Sequence, residues 1–535
     1  MEKLISKNTE IAEKIIRAVD TITDPIKQTL SPRGGNVIFE SDNGEITVTN
    51  DGVTIARSIS VGDPFENAII QIIKEAALKT NTKAGDGTST TILFNSVLTK
   101  GGLQLTRDGM NQREVVGWYK QFAEELKKSL AKMKQVIKSD EDLFNVACIS
   151  ANNDREIAAD VVRIVRTAGE FGFIFMEPSP TGKTEIVEDS GFIISGGLFK
   201  PELGNNMGAS VFVDVPVLIT DKRLYYAEEA ETILNTCLKN GYKELVVVAQ
   251  DFIGDALPFF VANHKKGAVR VILVKDPYIE KTQGATIEDL AHYLDGEVVS
   301  EKNGTLVDKL NISDFHMAKK VYADAGQTVI IREDETSKKR LNDRVKGLKV
   351  ELEKFGDDNS EAKNFIQKRL ASLTNGIVTL RIGASTPIEL KEKHFRYEDS
   401  ISAARAAVKD GYLVGGGLSI LRAYQETADK WKELPGVAKV FRALGEASVR
   451  QIAENSGLHG DTVLETLTEL QIKSKGKFVG YNALTKQYTD LLKDGVIDPY
   501  TVTEMAIDNS ISIASQILSS NYYIVNKPKD DKSST

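Results

Sequence analysis

The sequence predicts a multidomain α+β protein, and three observations predict it. At 535 residues the chain is too long for one hydrophobic core, which stops growing near about 250–300 residues. Its two ends carry apolar residues at helical spacing, whereas strand-like runs crowd into the middle. With 41% apolar and 27% charged residues, it has the composition of a globular protein that buries cores and stays in solution.

Taken in order, the first third mixes helix with short strands. Residues 36–40 (NVIFE) and 46–50 (ITVTN) are β-branched and flank Ser41-Asp42-Asn43-Gly44, a hairpin signal. Asp63-Pro64 then reads as an N-cap followed by proline at the first helical position. Behind it Phe65, Ala68, Ile69, Ile72, Ile73 and Ala76 mark one apolar helical face. That helix runs into Gly85-Asp86-Gly87-Thr88-Ser89-Thr90, and a second apolar helical stretch follows. From about residue 190 to 375, runs such as 211–219, 245–249 and 269–274 alternate with helical ones, as in a separate α/β module. Residues 335–370 are dense in charge, with Leu341, Val345, Leu348, Val350 and Leu352 among them, which predicts a solvent-washed helical hairpin or arm. Helices return at 400–409, 436–456, 461–472 and 502–518, and the polar tail from Asn526 is expected to be disordered.

Composition also excludes functions. The 68 basic and 76 acidic side chains leave a net charge of −8, which argues against a nucleic-acid surface, since phosphate neutralisation needs clustered Lys and Arg. Cys148 and Cys237 stand far apart, so neither a disulfide framework nor a thiolate zinc site organises the chain. The five histidines are scattered singly, without an H-E-x-x-H pair. No run reaches the ~18 apolar residues of a membrane helix, and the opening Met-Glu-Lys-Leu-Ile-Ser-Lys carries charge at once, without an apolar signal core. The expected compartment is the cytoplasm, with neither membrane nor nucleic acid as partner.

The Gly85–Thr90 loop carries the chemistry. Its glycines let backbone approach a phosphate, and the helix behind it presents unpaired N–H groups and a positive dipole end. Asp86 would repel phosphate unless a divalent cation lay between them, so it reads as an oxygen ligand for magnesium; a tight helix-capping turn is the alternative. Thr29-Leu30-Ser31-Pro32-Arg33-Gly34-Gly35 is a second glycine-containing turn. Asn50-Asp51-Gly52 puts a carboxylate at a strand end, Asp399 opens a helix, and Gly415-Gly416-Gly417 follows a short strand. Taken singly, these are turn and capping residues. Neither a G-x-x-x-x-G-K-[ST] nor a G-x-G-x-x-G motif is present, which takes away the main support of the P-loop and Rossmann readings.

Together, LSPRGGNV, VTNDGVTIAR, AGDGTSTT, ISANND, RYEDSISAARAAVKDGYLVGGG, GYNA and DGVIDP resemble the nucleotide-site and framework motifs of group I chaperonins, the GroEL type, in the family's order from about residue 3 to 525. The resemblance implies a mostly helical equatorial ATP-binding domain from 1–133 and 410–535. It also implies a small intermediate hinge domain from 134–189 and 377–409, and an α/β apical domain over 190–376. It implies an ATP-dependent chaperone that binds non-native polypeptides in a homo-oligomeric, heptameric ring, single or double, with a co-chaperonin lid; a ring-forming holdase with little ATP cycling is the alternative.

By the same resemblance, Thr29, Leu30, Ser31 and Pro32 lie against the nucleotide, with Ser31 where the family usually has glycine. Asp86 holds magnesium, and Gly87, Thr88, Ser89 and Thr90 cradle phosphate. A potassium ion would use the Thr29 and Asn50 carbonyls and the Ser89 hydroxyl. Asp399 matches the acid that prepares the attacking water, and Asp51 a second acid near the γ-phosphate. Gly415 and Gly416 meet the ribose with Asp498, and Asn482 with Ala483 the adenine edge. Junctions near Asp410–Gly411 and Asn375–Gly376 are the implied hinges. Leu234, Leu257, Val261 and Ala262 match the apical positions that hold apolar polypeptide.

Three departures stand out. Gly196–Leu203 replaces the family's aromatic-rich apical segment. Arg450 faces Leu458-His459 where the family's inter-ring helix has an acid, and a Lys/Asp/Ser tail replaces the glycine-methionine one. Such drift resembles a divergent, bacteriophage-borne member.

Overall fold

The computed structural model describes residues 3–40, 44, 46–169, 173–204, 208–277, 284–333, 336–354, 361–374, 376–474 and 478–527. The expected hairpin turn at 41–43, positions 355–360 of the charged arm, the junction residue Asn375 and the tail at 528–535 lie outside them. The chain divides into two compact units, Met1–Val165 with Ala384–Thr535, and Arg166–Gly383.

The first unit is helical. Asp63 caps the helix Pro64–Ala84 by accepting from the Phe65 and Glu66 N–H groups, with proline at the first position, as its sequence predicts. Phe65, Ile69, Ile73 and Ala76 turn inward from it and are buried. They join a core shared with the helices Asn8–Lys27, Thr88–Arg107, Gln112–Met133, Pro435–Asn455 and Tyr500–Ser519. Aromatic stacking tightens that core: Phe122 and Phe441 lie parallel at 3.8 Å between ring centres, and Trp431 meets both edge-on. The two ends of the chain meet here as well, because Lys3–Lys7 pairs antiparallel with Tyr522–Asn526. The helix Pro387–Asp410 is pinned to the segment 140–165 at two points. Ser400 donates to the Ala147 carbonyl at 2.8 Å, and the Tyr397 hydroxyl to Asp160 at 2.6 Å.

The second unit is built on an eight-stranded mixed sheet. Its order is Arg270–Lys275, Glu244–Ala249, Ser210–Ile219, His316–Ala323, Thr328–Arg332, Glu185–Ile194, Gly376–Ile382, Phe173–Pro178. The first three strands run parallel, as the last two do, and the pairings between are antiparallel. The strands Glu244–Ala249 and Arg270–Lys275 are apolar runs buried along almost their whole length, which is why they were legible as strands.

The charged arm is a helical hairpin, Lys339–Glu353 and Glu361–Thr374, but the expectation of a solvent-washed arm is corrected. Leu341 and Leu348 are buried in the core of this unit. Arg344 and Arg369 both bond the buried Asp289 carboxylate, at 2.6 and 2.7 Å. Arginine forks that neutralise a buried acid hold the hairpin down. Among the described residues no helix is long and apolar enough to cross a membrane.

Candidate functional site

Two left-handed glycines shape the central loop. Gly85 ends the helix Pro64–Ala84 at φ +76°, and Gly87 opens Thr88–Arg107 at φ +92°, leaving only Asp86 between the two capping glycines. Glycine is required at 87 twice over: a left-handed L-residue is strained, and a Cβ there would sit 2.9 Å from Val502 Cγ1. Gly87 also brings no side-chain acceptor to the N-terminus it caps. The first N–H groups of this 20-residue helix therefore keep their donor capacity and the positive end of its dipole. Thr88 Oγ1 is buried there without a partner.

Two adjoining cavities in the first unit meet at this loop. The first, about 200 Å³, is bounded by Thr29, Leu30, Ser31, Asn50, Asp51, Asp86, Gly87, Ser89, Thr90 and Asp399. The second, about 360 Å³, is bounded by Leu30, Ser31, Pro32, Asp86, Gly87, Thr90, Gly416, Asn482, Ala483 and Asp498. That size falls in the range of small-molecule sites, about 300–1,000 Å³. Of the residues singled out for a nucleotide, only Thr88 and Gly415 do not bound a cavity. Thr88 is buried at the helix start, and Gly415 backs onto Asp498, where a Cβ would lie 2.9 Å from Oδ1.

Six carboxylates bound these cavities, and four of them bear on the chemistry. Asp51 is fixed as the N-cap of Gly52–Ser58, accepting from the Val53 and Thr54 N–H groups at 3.1 and 2.7 Å. Asp86 accepts from Gly87 N–H and, at 3.4 Å, from the Ser150 hydroxyl. Desolvation raises the Asp86 carboxyl above the ordinary range, and the Asp51 charge adds to it against those two hydrogen bonds. Asp399 is raised further, first by burial and then by repulsion from Asp86, Asp51 and Glu398. Asp498 is pushed up to about 7, by burial and by Asp86. Acids that raise one another in this way favour a proton or a hard cation between them. Among the described residues no three His, Cys, Asp or Glu side chains are grouped closely enough to hold a metal alone. A cation here would take one or two carboxylates and complete its shell with water and ligand oxygens, as magnesium does beside phosphates.

Residues 22–528 match the TCP-1/cpn60 chaperonin family. The chain belongs to that family. Solved structures of the chaperonin gp146 from the bacteriophage EL 2 (Pseudomonas aeruginosa), obtained in the presence of ATP-BeFx, share its fold. Crystal form II aligns with a TM-score of 0.74 at 20% identity, covering 98% of this chain and 100% of that one. Crystal form I aligns with 0.66 at 19% identity, covering 98% and 99%. The multidomain α+β architecture expected from the motifs is that of a GroEL-like chaperonin.

Several contacts in and around this chaperonin's cavities escaped the sequence reading. Arg33 reaches across to the Ala483 and Leu484 carbonyls, at 3.4 and 2.9 Å, and so ties the Thr29–Pro32 turn to the opposite wall. Asn455 holds the same turn from behind, donating to the Lys27 and Leu30 carbonyls at 2.9 and 2.8 Å. Asn152 and Asn153 adopt left-handed backbone, φ 55° and 66°, beside the second cavity. Their signal was present in ISANND, since asparagine tolerates that conformation better than most side chains. Asn482 uses its own amide locally: Oδ1 accepts from Leu484 and Thr485 N–H, and Nδ2 donates to Asp494 at 2.8 Å.

In the second unit of the chaperonin the expected polypeptide-binding residues divide. Leu257 and Val261 are half-buried on the helix Ala256–Lys265, and Ala262 is exposed. Leu234 is 3% exposed and belongs to the core with Ile233 and Cys237, so its expectation as a surface contact is corrected. Its helix buries that stripe in the core of this unit. The replaced segment Gly196–Leu203 is also drawn inward, with Leu198 and Leu203 buried. Arg450 pairs within the chain, with Asp461 at 2.7 Å and Glu446 at 3.1 Å.

Proposed function

We propose that this chaperonin is an ATP-dependent folding machine that hydrolyses ATP in the joined cavities of its first unit. The observation that carries the reading is one cavity bounded both by Asp86, from the N-terminal half of that unit, and by Asp399, from its C-terminal half. Thr88, Ser89 and Thr90 supply hydroxyl and N–H donors for a triphosphate at the start of a helix. The Leu30–Pro32 turn, Gly415, Gly416, Asn482, Ala483 and Asp498 fit the nucleoside end. Asp86 is the residue to hold magnesium, which when bound would neutralise charge on the phosphates. The Thr29 and Asn50 carbonyls and Ser89 suit potassium. Asp399, an acid made more basic by its surroundings, is suited to take a proton from the attacking water, and Asp51 to orient it.

The same reading keeps three functional bodies: an equatorial one, 1–133 with 410–535; an intermediate one, 134–189 with 377–409; and an apical one over 190–376. These would assemble as a homo-oligomeric ring, heptameric, in the cytoplasm, with a co-chaperonin lid. Non-native polypeptide would bind on Leu257, Val261 and Ala262, and ATP would drive burial of that surface.

The test is Asp399→Ala. Steady-state ATPase should fall by at least about 10²-fold, a general base being worth about 10²–10⁴, while calorimetry still detects ATP binding. Unchanged turnover would refute the role of Asp399, and a wild-type protein that binds no ATP would refute the whole reading.

A further inference from the structure

Asp399 is not the only side chain that its helix brings to the first cavity. Ile388, Lys391, Glu392, Phe395, Arg396 and Asp399 all bound it, at the spacing of one face of the helix Pro387–Asp410. Two of the six are cations in a cavity otherwise dominated by acids. Lys391 is exposed and makes no ion pair among the described residues. Arg396 is half-buried, and its guanidinium is only partly used: one Nη bonds Glu392, the other stands 3.9 Å from Asp154, beyond hydrogen-bond reach. Its Nε is buried without a partner. A guanidinium carries five N–H donors in a rigid fork that matches phosphate oxygens, so an arginine with donors to spare at the edge of such a cavity has chemistry left to do.

We propose that Arg396 is a catalytic residue acting in cis as an arginine finger on the terminal phosphate of ATP, with Lys391 as a second, weaker contact to the same group. The inference rests on the nucleotide reading above. In the step itself, the water oxygen forms a bond to the γ-phosphorus, and its proton passes to the Asp399 carboxylate. The bond between the γ-phosphorus and the bridging oxygen breaks, and its electron pair leaves on ADP. Arg396 exchanges no proton. It shares charge with the γ-phosphate oxygens as that bond loosens, and in exchange gives up part of its hold on Glu392. The same helix would then deliver the base and the charge-stabilising group together, one turn apart.

The test compares ATP and ADP binding by calorimetry, and single-turnover hydrolysis, in wild type, Arg396→Ala, Arg396→Lys and Lys391→Ala. Arg396→Ala should lose about 10- to 100-fold in ATP affinity, the worth of charge-assisted hydrogen bonds, while ADP affinity stays within about threefold and certifies the fold. Single-turnover hydrolysis should fall by about 10³-fold, the lower end for arginine fingers. Arg396→Lys should recover much of the binding and little of the rate, since lysine is a point charge without the fork. Lys391→Ala should weaken ATP binding by less than Arg396→Ala does. An Arg396→Ala protein with wild-type preference for ATP over ADP and wild-type turnover overturns the proposal alone. Equal losses for ATP and ADP also overturn it, because they mark a structural role. Wild type that binds neither nucleotide overturns the reading beneath it as well.

Discussion

Asp498→Asn tests the electrostatics of the cavity directly, because it keeps the shape of the side chain and removes the charge. Asp498 stands on the short strand Ile497–Pro499 against Gly415. Burial, then Asp86, pushes its carboxyl from 3.8 up to about 7. In the unfolded chain the same group ionises at its ordinary value. Between pH 4 and 7, then, the native state holds a proton that the unfolded state has released. The sign follows: stability is highest at the acid end and is lost as pH rises toward 7, by about 1.4 kcal/mol per pH unit, then levels off. Over the whole interval the loss is on the order of 4 kcal/mol, reduced by whatever water or cation reaches the carboxylate. Asparagine loses nothing across it. Trp118 and Trp431 lie edge-to-face at 6.3 Å in the same unit, so thermal unfolding followed by tryptophan fluorescence reports on the right body. Wild type and variant should melt close together at pH 4, with the variant several degrees higher at pH 8. A gap that does not change with pH, or a wild type that melts higher at pH 8, would show that the carboxylate is well solvated or well paired and refute the reasoning.

Two further outcomes follow from the same geometry. Gly87→Ala should fold and yet lose at least about tenfold in ATP affinity, measured by calorimetry, because left-handed backbone costs an L-residue about 1–2 kcal/mol and the new Cβ, 2.9 Å from Val502, displaces the loop. The two thiols should separate in a thiol-reagent time course: Cys148 bounds the second cavity, so it should react slowly and be protected by ATP. Cys237, buried in the other unit with its thiol pushed up to about 11, should stay silent until the chain unfolds.

What the sequence made legible was local. Asp63-Pro64 announces a helix start, glycines on either side of Asp86 announce a turn between two helices, and the apolar run Leu245–Ala249 announces a buried strand, because each signal lies within a few residues of its effect. The rest needed long-range partners. Arg33 bonds carbonyls at 483 and 484, and nothing near it in the chain foretells that reach. The charges at Arg344 and Arg369 resemble solvent-facing residues until Asp289 is found between them. Leu234 fails for a different reason: an apolar helical stripe has the same spacing whether it meets a sheet or a polypeptide ligand, so periodicity fixes the face and leaves its partner open. Ser31 falls between these cases. Its backbone is left-handed at φ 79°, the conformation glycine tolerates best, which accounts for glycine being usual there in the family and makes serine a locally strained replacement.

The order of the chain constrains how such a site can work. Residues on both sides of the sheet-bearing unit bound the same cavities, so that unit is an insertion into the first, and the chain crosses between the two only at 165–166 and 383–384. The first crossing lies within a helix, and the second in the four irregular residues 383–386. The helix Arg155–Ala168 runs through the first, and the helix Pro387–Asp410, which carries Arg396 and Asp399, begins directly after the second. A helix transmits displacement along its length because its backbone hydrogen bonds resist bending. Under the proposed function, the base and Arg396 sit on one helix of the first unit, so whatever displaces that helix acts on both at once.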